Sequence, residues 1–349
     1  MPVIWNNVNA QGCIAIRTTG GSLCTMNDTE NEDNQVVHNK WQLNIGYRYF
    51  HSFRHFVGKV EQKERVKEHT EVINDVSTLD FSVSTNLTIR LSLTVGFPVL
   101  ANARSQRARF GDRERYQTHS FGMGDAHISL YRWMLDPVKP HKGNFQLGLG
   151  IKLPTGDYKY QDYFPASETT KELRTVDQSI QLGDGGTALI TELNYFYNFS
   201  PLFGFYGNLY YLFNPREQNG VPTFRSNVNE AIMSVADQYM ARAGFNYGFK
   251  GGIKNLSVAL GARLEGIPAK DLIGGSEGFR RPGYIVSMEP GINLAVKKST
   301  FYLQVPIAMV RCRTQSVPDK QTTMQTGVFK QGDAAFADYL VNVGFTKRF

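Results

Sequence analysis

Ten ionisable residues of both signs recur in stretches that are otherwise alternately apolar: Arg48, Asp80, Arg90, His127, Lys152, Glu192, Arg242, Arg263, Glu265 and Glu289. Charges gathered on one face of such stretches can do one of two things. They can line a polar constriction whose field selects a solute. They can also neutralise one another and fill a narrow interior. Acyl-transfer chemistry would need a Ser or Asp beside a His; His51, His55, His69 and His119 are available, with Asp112 and Ser120 near the last in sequence. No spacing among them repeats a nucleophile motif. The reading is of a non-enzyme with no catalytic residue, no metal ligands and no cofactor.

The elements that must carry these charges read as β-strands. In "LTIRLSLTVGFPV", residues 87–99, Leu87, Ile89, Leu91, Leu93, Val95, Phe97 and Val99 alternate with Thr88, Arg90, Ser92, Thr94 and Gly96. A period of two gives one greasy and one wet face. The pattern recurs about twelve times, from "WQLNIGYRYF" at 41–50 to "YLVNVGFTKRF" at 339–349. Each stretch has the roughly ten residues that a tilted membrane strand needs. Connections alternate between short ("STNL", "NFSPL", "VKKST") and long, the long ones near 51–77, 99–122, 155–186, 215–236, 267–282 and 312–336. Compact soluble domains rarely use so many long structureless loops. Outer-membrane barrels do, with tight periplasmic turns and long outer loops.

The fold expected is therefore all-β: a transmembrane antiparallel β-barrel of about twelve strands in the bacterial outer membrane, over residues 41–349. The greasy face meets lipid and the charged set faces the lumen. Counting along strands puts Asp80, Glu192, Arg242 and Glu289 near mid-height, and Arg48, His127, Lys152 and Arg263 nearer the outer mouth. Aromatic residues near strand ends fit interfacial girdles. Inward glycines lean towards open space, or else serve strand coiling. Pro290 and Pro306 fall inside predicted strands and call for local bulges.

The 349 residues carry a net charge of +7, with scattered basic residues and no nucleic-acid motif, so no nucleic-acid partner is expected. No run of 18 apolar residues is present, which argues against membrane helices. "VNA" before Gln11 is similar to the small-residue end of a secretory signal, so residues 1–40 read as a signal remnant, a periplasmic tail or a plug. Cys13 and Cys24 are disulfide candidates in an oxidising periplasm. The loop "ANARSQRARFGDRERYQ" reads as a solvated surface loop with charges of both signs. The closing residues, with Val341, Val343, Phe345 and Phe349 at alternate or terminal places, resemble the C-terminal signal by which such barrels are recognised for insertion.

Two motifs carry a family resemblance. "FGMGDAHISLYRWML" (121–135) followed by "LGLGIKLPTGDY" (147–158) resembles the phenol-degradation meta-pathway family of outer-membrane β-barrel transporters, on Gly122, Gly124, Asp125 and Leu153 to Tyr158. The resemblance implies a porin-like Gram-negative channel passing a small aromatic or hydrophobic solute. The partners implied are outer-membrane lipid and lipopolysaccharide, the insertion machinery and the solute. The second reading is a closed accessory barrel with a protein partner in an outer-membrane complex.

Overall fold

A strand with one wet and one greasy face must bury one of them, and every strand edge must find a partner. Closing the sheet on itself satisfies both demands. The computed structural model describes residues 40–108, 114–137, 139, 141–249 and 255–349. The expected disulfide of Cys13 and Cys24, and any plug formed by residues 1–39, lie outside the described residues.

Twelve antiparallel staves close into one barrel. They are β1 (Trp41–Val57), β2 (Ile73–Asn86), β3 (Leu91–Arg107), β4 (Arg115–Met123 and His127–Trp133), β5 (Gly143–Lys152) and β6 (Ala188–Asn198). The second half is β7 (Phe203–Phe213), β8 (Gln238–Gly248), β9 (Leu256–Ile267), β10 (Gly283–Val296), β11 (Ser299–Gln304 and Ile307–Arg313) and β12 (Ala334–Arg348). Each pairs with its sequence neighbour, and β12 returns to β1, from Gln42↔Arg348 to Phe50↔Leu340. The chain therefore has the twelve-stranded barrel expected of it.

The burial pattern is inside out. Leu130, Leu149, Leu209, Leu260 and Ile292 stand 43–58% exposed on the outer wall, while Arg104, Arg280, Arg313, His55 and Glu289 are among the most deeply buried side chains. In water that distribution would be costly. Across an apolar band it puts greasy side chains in lipid and polar ones inside. An outer aromatic belt runs near the short-turn end, where Phe199, Phe203 and Phe245 stack with centroids 5.4–6.4 Å apart.

Two loops differ from expectation. β1 runs on to Val57, and β3 and β4 continue as a paired hairpin from Val99↔Met123 to Arg107↔Arg115, so much of 51–77 and 99–122 is strand rather than irregular loop. Arg104, assigned to a solvated loop, is 2% exposed inside; Arg109 and Arg113 lie outside the described residues. Above the membrane, outer-face residues need no longer be apolar, so the alternation fades while the ladder persists.

The prolines and glycines resolve in physical terms. Pro290 stays within β10 opposite Leu260, and Pro306 falls in the break that splits β11. There Val305 N donates to Pro290 O and Leu340 N to Pro306 O, both at 3.0 Å. The inward glycines do not leave open space. Tyr206 lies across Gly244 and Gly261, Tyr131 across Gly148, and Tyr302 across Gly344. A ring laid over a missing Cβ packs the sheet face tightly.

Candidate solute passage

The floor of the lumen is a cross-strand charge network. Asn208, Arg242 and Arg263 are register partners on β7, β8 and β9, and Gly261 of β9 faces Glu289 of β10. This alignment brings Arg242 to 3.6 Å and Arg263 to 3.4 Å from Glu289, with Arg263 also 2.9 Å from Glu265. Arg263 therefore sits beside Arg242 rather than nearer the mouth. Glu192 accepts from Tyr131 Oη at 2.9 Å and Asn208 Nδ2 at 2.8 Å. Arg48 and Asp80 approach to 4.0 Å. Removing such charges from water is costly unless each is paired and hydrogen-bonded, and this network supplies the pairs.

Arg90 is the exception among the ten. It lies in the turn between β2 and β3, exposed, and lines no part of the lumen. The greasy alternation of Leu87, Ile89 and Leu91 continues through the turn, so periodicity placed Arg90 in a strand. The cause is Thr88: its Oγ1 accepts from Arg90 N at 3.3 Å and Leu91 N at 3.0 Å, and Leu91 O accepts from Leu87 N at 2.8 Å. The turn closes there and β3 begins at Leu91.

The two motifs of the family resemblance meet in space. Asp125 lies in the gap between the halves of β4. Its carboxylate accepts from Gly156 N (3.0 Å) and Lys152 Nζ (3.0 Å). Thr155 Oγ1 accepts from Ala126 N and donates to Gly124 O. A third segment, "QLGDGG" at 181–186, completes the knot: Lys152 also pairs with Asp184, and Asp184 N donates to Asp125 at 3.3 Å. A Cβ on Gly124 would lie 2.6 Å from Leu100 Cδ1 and 2.9 Å from Leu182 O. Only glycine fits between the wall and that segment.

Segment 176–186 folds into the barrel as a cover. Val176 and Ile180 are fully buried. Asp177 caps the short 3-10 turn Gln178–Ile180 through Ser179 N at 3.0 Å. Its carboxylate receives Arg281 at 3.1 and 3.2 Å and lies 3.5 Å from Arg104. Burial pushes this carboxyl up, but the two guanidiniums outweigh it and hold it well below the usual carboxylate range. Ile180 O accepts from Ser120 Oγ and, at 3.4 Å, Asn102 Nδ2. Ser120 is thus committed to the inside while its neighbour His119 is exposed, and the two do not form a catalytic pair.

The cover bounds a cavity of about 270 Å³. Asp80, His127 and Lys152 reach it from the wall, Gln178 and Asp184 from the cover. Ile190, Tyr210, Leu212, Met233 and Ile267 give it an apolar side. Sequence reading found the wall charges and missed the cover, whose partners are far apart along the chain. Val341, Val343 and Phe345 lie on the outer side of β12, and Phe349 N donates to Trp41 O at 2.9 Å.

A closed twelve-stranded sheet with a lipid-compatible wall and a polar, cavity-bearing interior defines a β-barrel of the bacterial outer membrane. Among solved structures the chain is similar to an outer membrane channel from Pseudomonas putida F1, with TM-score 0.58 and 13% identity over 92% of this chain and 100% of that one. That likeness shows a shared fold. The Pseudomonas putida toluene transporter TodX (TM-score 0.42, 9% identity, 89% of this chain and 90% of that one) and the beta domain of the Bordetella autotransporter Brka (0.43, 11%, 89% and 100%) are more distant barrels, and their likeness carries no argument. No family model matches the chain, and no curated protein does.

Proposed function

We propose that this barrel passes a small, hydrophobic or aromatic solute across the outer membrane. The observation that carries the reading is the cavity bounded by the cover. At about 270 Å³ it falls just under the range typical of drug-sized pockets, so it suits a small molecule. Its lining sets an apolar side against a larger set of polar and charged groups, among them Asp80, His127, Lys152, Asp184, Arg280 and Arg281. A small solute with an apolar ring and a polar substituent would find a matching surface for each there. The resemblance of segments 121–135 and 147–158 to the phenol-degradation meta-pathway family supports the same reading. So does the fold shared with an outer membrane channel.

The second reading, a closed accessory barrel, draws on the buried charge pairs of Arg242 and Arg263 with Glu289. Reconstitution into liposomes separates the two. The transporter reading expects faster entry of a neutral phenol-sized solute than of glucose, with discrete openings in a planar bilayer. Folded protein that admits neither solute, and copurifies with a stoichiometric protein partner, would overturn it.

A further inference from the structure

The outer wall at the short-turn end carries a charge that lipid contact should exclude. Arg132 points outward from β4, between its register partners Leu91 on β3 and Leu147 on β5, with Leu130 43% exposed on the same face. An unpaired arginine on a lipid-facing wall costs about 2–4 kcal/mol at mid-membrane and less near the interface. A second arginine stands next to it. Trp133 N donates to Arg90 O at 2.8 Å, which holds the Thr88–Arg90 turn against the end of β4. Arg90 and Arg132 line one open recess of about 570 Å³ with Thr88, Ile89 and Leu91. Among the described residues, no carboxylate is within salt-bridge distance of either guanidinium. Two guanidinium forks thus face one recess at the headgroup level, with a greasy wall above it.

We propose that Arg90 and Arg132 hold the phosphodiester of a glycerophospholipid from the periplasmic leaflet. Its acyl chains would lie along the outward side chains of Leu93, Leu130 and Leu149. Guanidinium forks match phosphate oxygens in bidentate fashion, and basic recesses at a membrane surface recognise lipid headgroups. The occupant is a lipid because the recess opens on the wall, with Ile89 and Leu91 as its floor. The inference rests on the barrel's orientation and is independent of what the lumen carries.

The test is native mass spectrometry of the detergent-purified full chain. The probes are phosphatidylglycerol, the matching neutral diacylglycerol and inorganic phosphate. The expected result is one saturable phosphatidylglycerol adduct, weakened at least tenfold in Arg90→Ala/Arg132→Ala and partly retained in Arg132→Lys. Heat-shifted gel mobility should be unchanged in all three proteins. Equal retention by the double variant, or equal binding of diacylglycerol, would overturn the proposal. So would inorganic phosphate binding with the same arginine dependence and no preference for lipid. Should the double variant fail to fold, Arg132→Lys against wild type decides: no loss of phosphatidylglycerol affinity overturns the proposal.

Discussion

Asp177, on the inward-folded cover, and Arg281, just before β10, are joined by two hydrogen bonds of 3.1 and 3.2 Å across 104 residues of chain. With Arg104 at 3.5 Å on the opposite wall, this carboxylate ties the cover to both sides of the mouth.

Replacing Asp177 with Ala should loosen the cover. Breaking a buried pair costs on the order of 3 kcal/mol, which shifts a closed-to-open ratio by about a hundredfold. Hydrogen exchange of the amides from 176 to 186 should speed up accordingly, while the amides of β6 and β7 stay protected. Unchanged exchange at 176–186 would show that the tie is not what holds the cover.

The same tie should resist mild acid. A carboxylate whose folded value is depressed contributes stability above its unfolded value near 3.9, and that stability is lost only as pH falls through the lower folded value. Exchange at 176–186 should therefore be the same at pH 8 and pH 5, once corrected for intrinsic rates. A cover that opens between those values would point to a different group.

Glu289→Gln removes a carboxylate shared by Arg242 and Arg263. The floor then carries one more net positive charge. If ions pass the floor, the reversal potential in a salt gradient should move towards anion preference. The unfolding midpoint on heat-shift gels should fall, in keeping with a loss of about 3–5 kcal/mol for one partner of a buried pair. Neither change would mean that the two arginines are held by other groups.

Gly244→Ala tests the tyrosine packing. The added Cβ would lie 2.6 Å from Gly261 Cα, Leu260 O and Tyr206 Oη. Two of those atoms are backbone and cannot yield cheaply, so destabilisation of about 1–3 kcal/mol is expected, read as a lower urea midpoint for the folded barrel.

The staves were legible because lipid on one side and polar lumen on the other force a strict period of two through the membrane. The alternation of β3 and β5 is plain in the residues themselves. Periodicity failed where its cause stops acting. In the Thr88 turn the greasy residues continue, and a single hydroxyl decides where β3 starts. Above the membrane, "HSFRHFV" of β1 remains strand without a greasy face. The wall charges near the cavity could be named from alternation alone. The cover could not, because Asp177, Arg104 and Arg281 meet only once the barrel has closed.

The β3–β4 hairpin climbs eight residue steps past Val99↔Met123, about 27 Å at the usual rise per residue. Residues 161–175 lean on it through Tyr116–Phe164 at 6.1 Å and His119 N–Asp162 at 2.6 Å. The mouth is therefore flanked by a ridge that stands clear of the lipid-facing band. The pleat divides that ridge into two faces with different work. Asn102, Arg104 and Ser120 on its inner side are bound to the cover. Ala101, Ala103 and Phe121 stand on its outer side and offer no polar side-chain atom to those bonds, so substitutions there should leave the cover's ties in place.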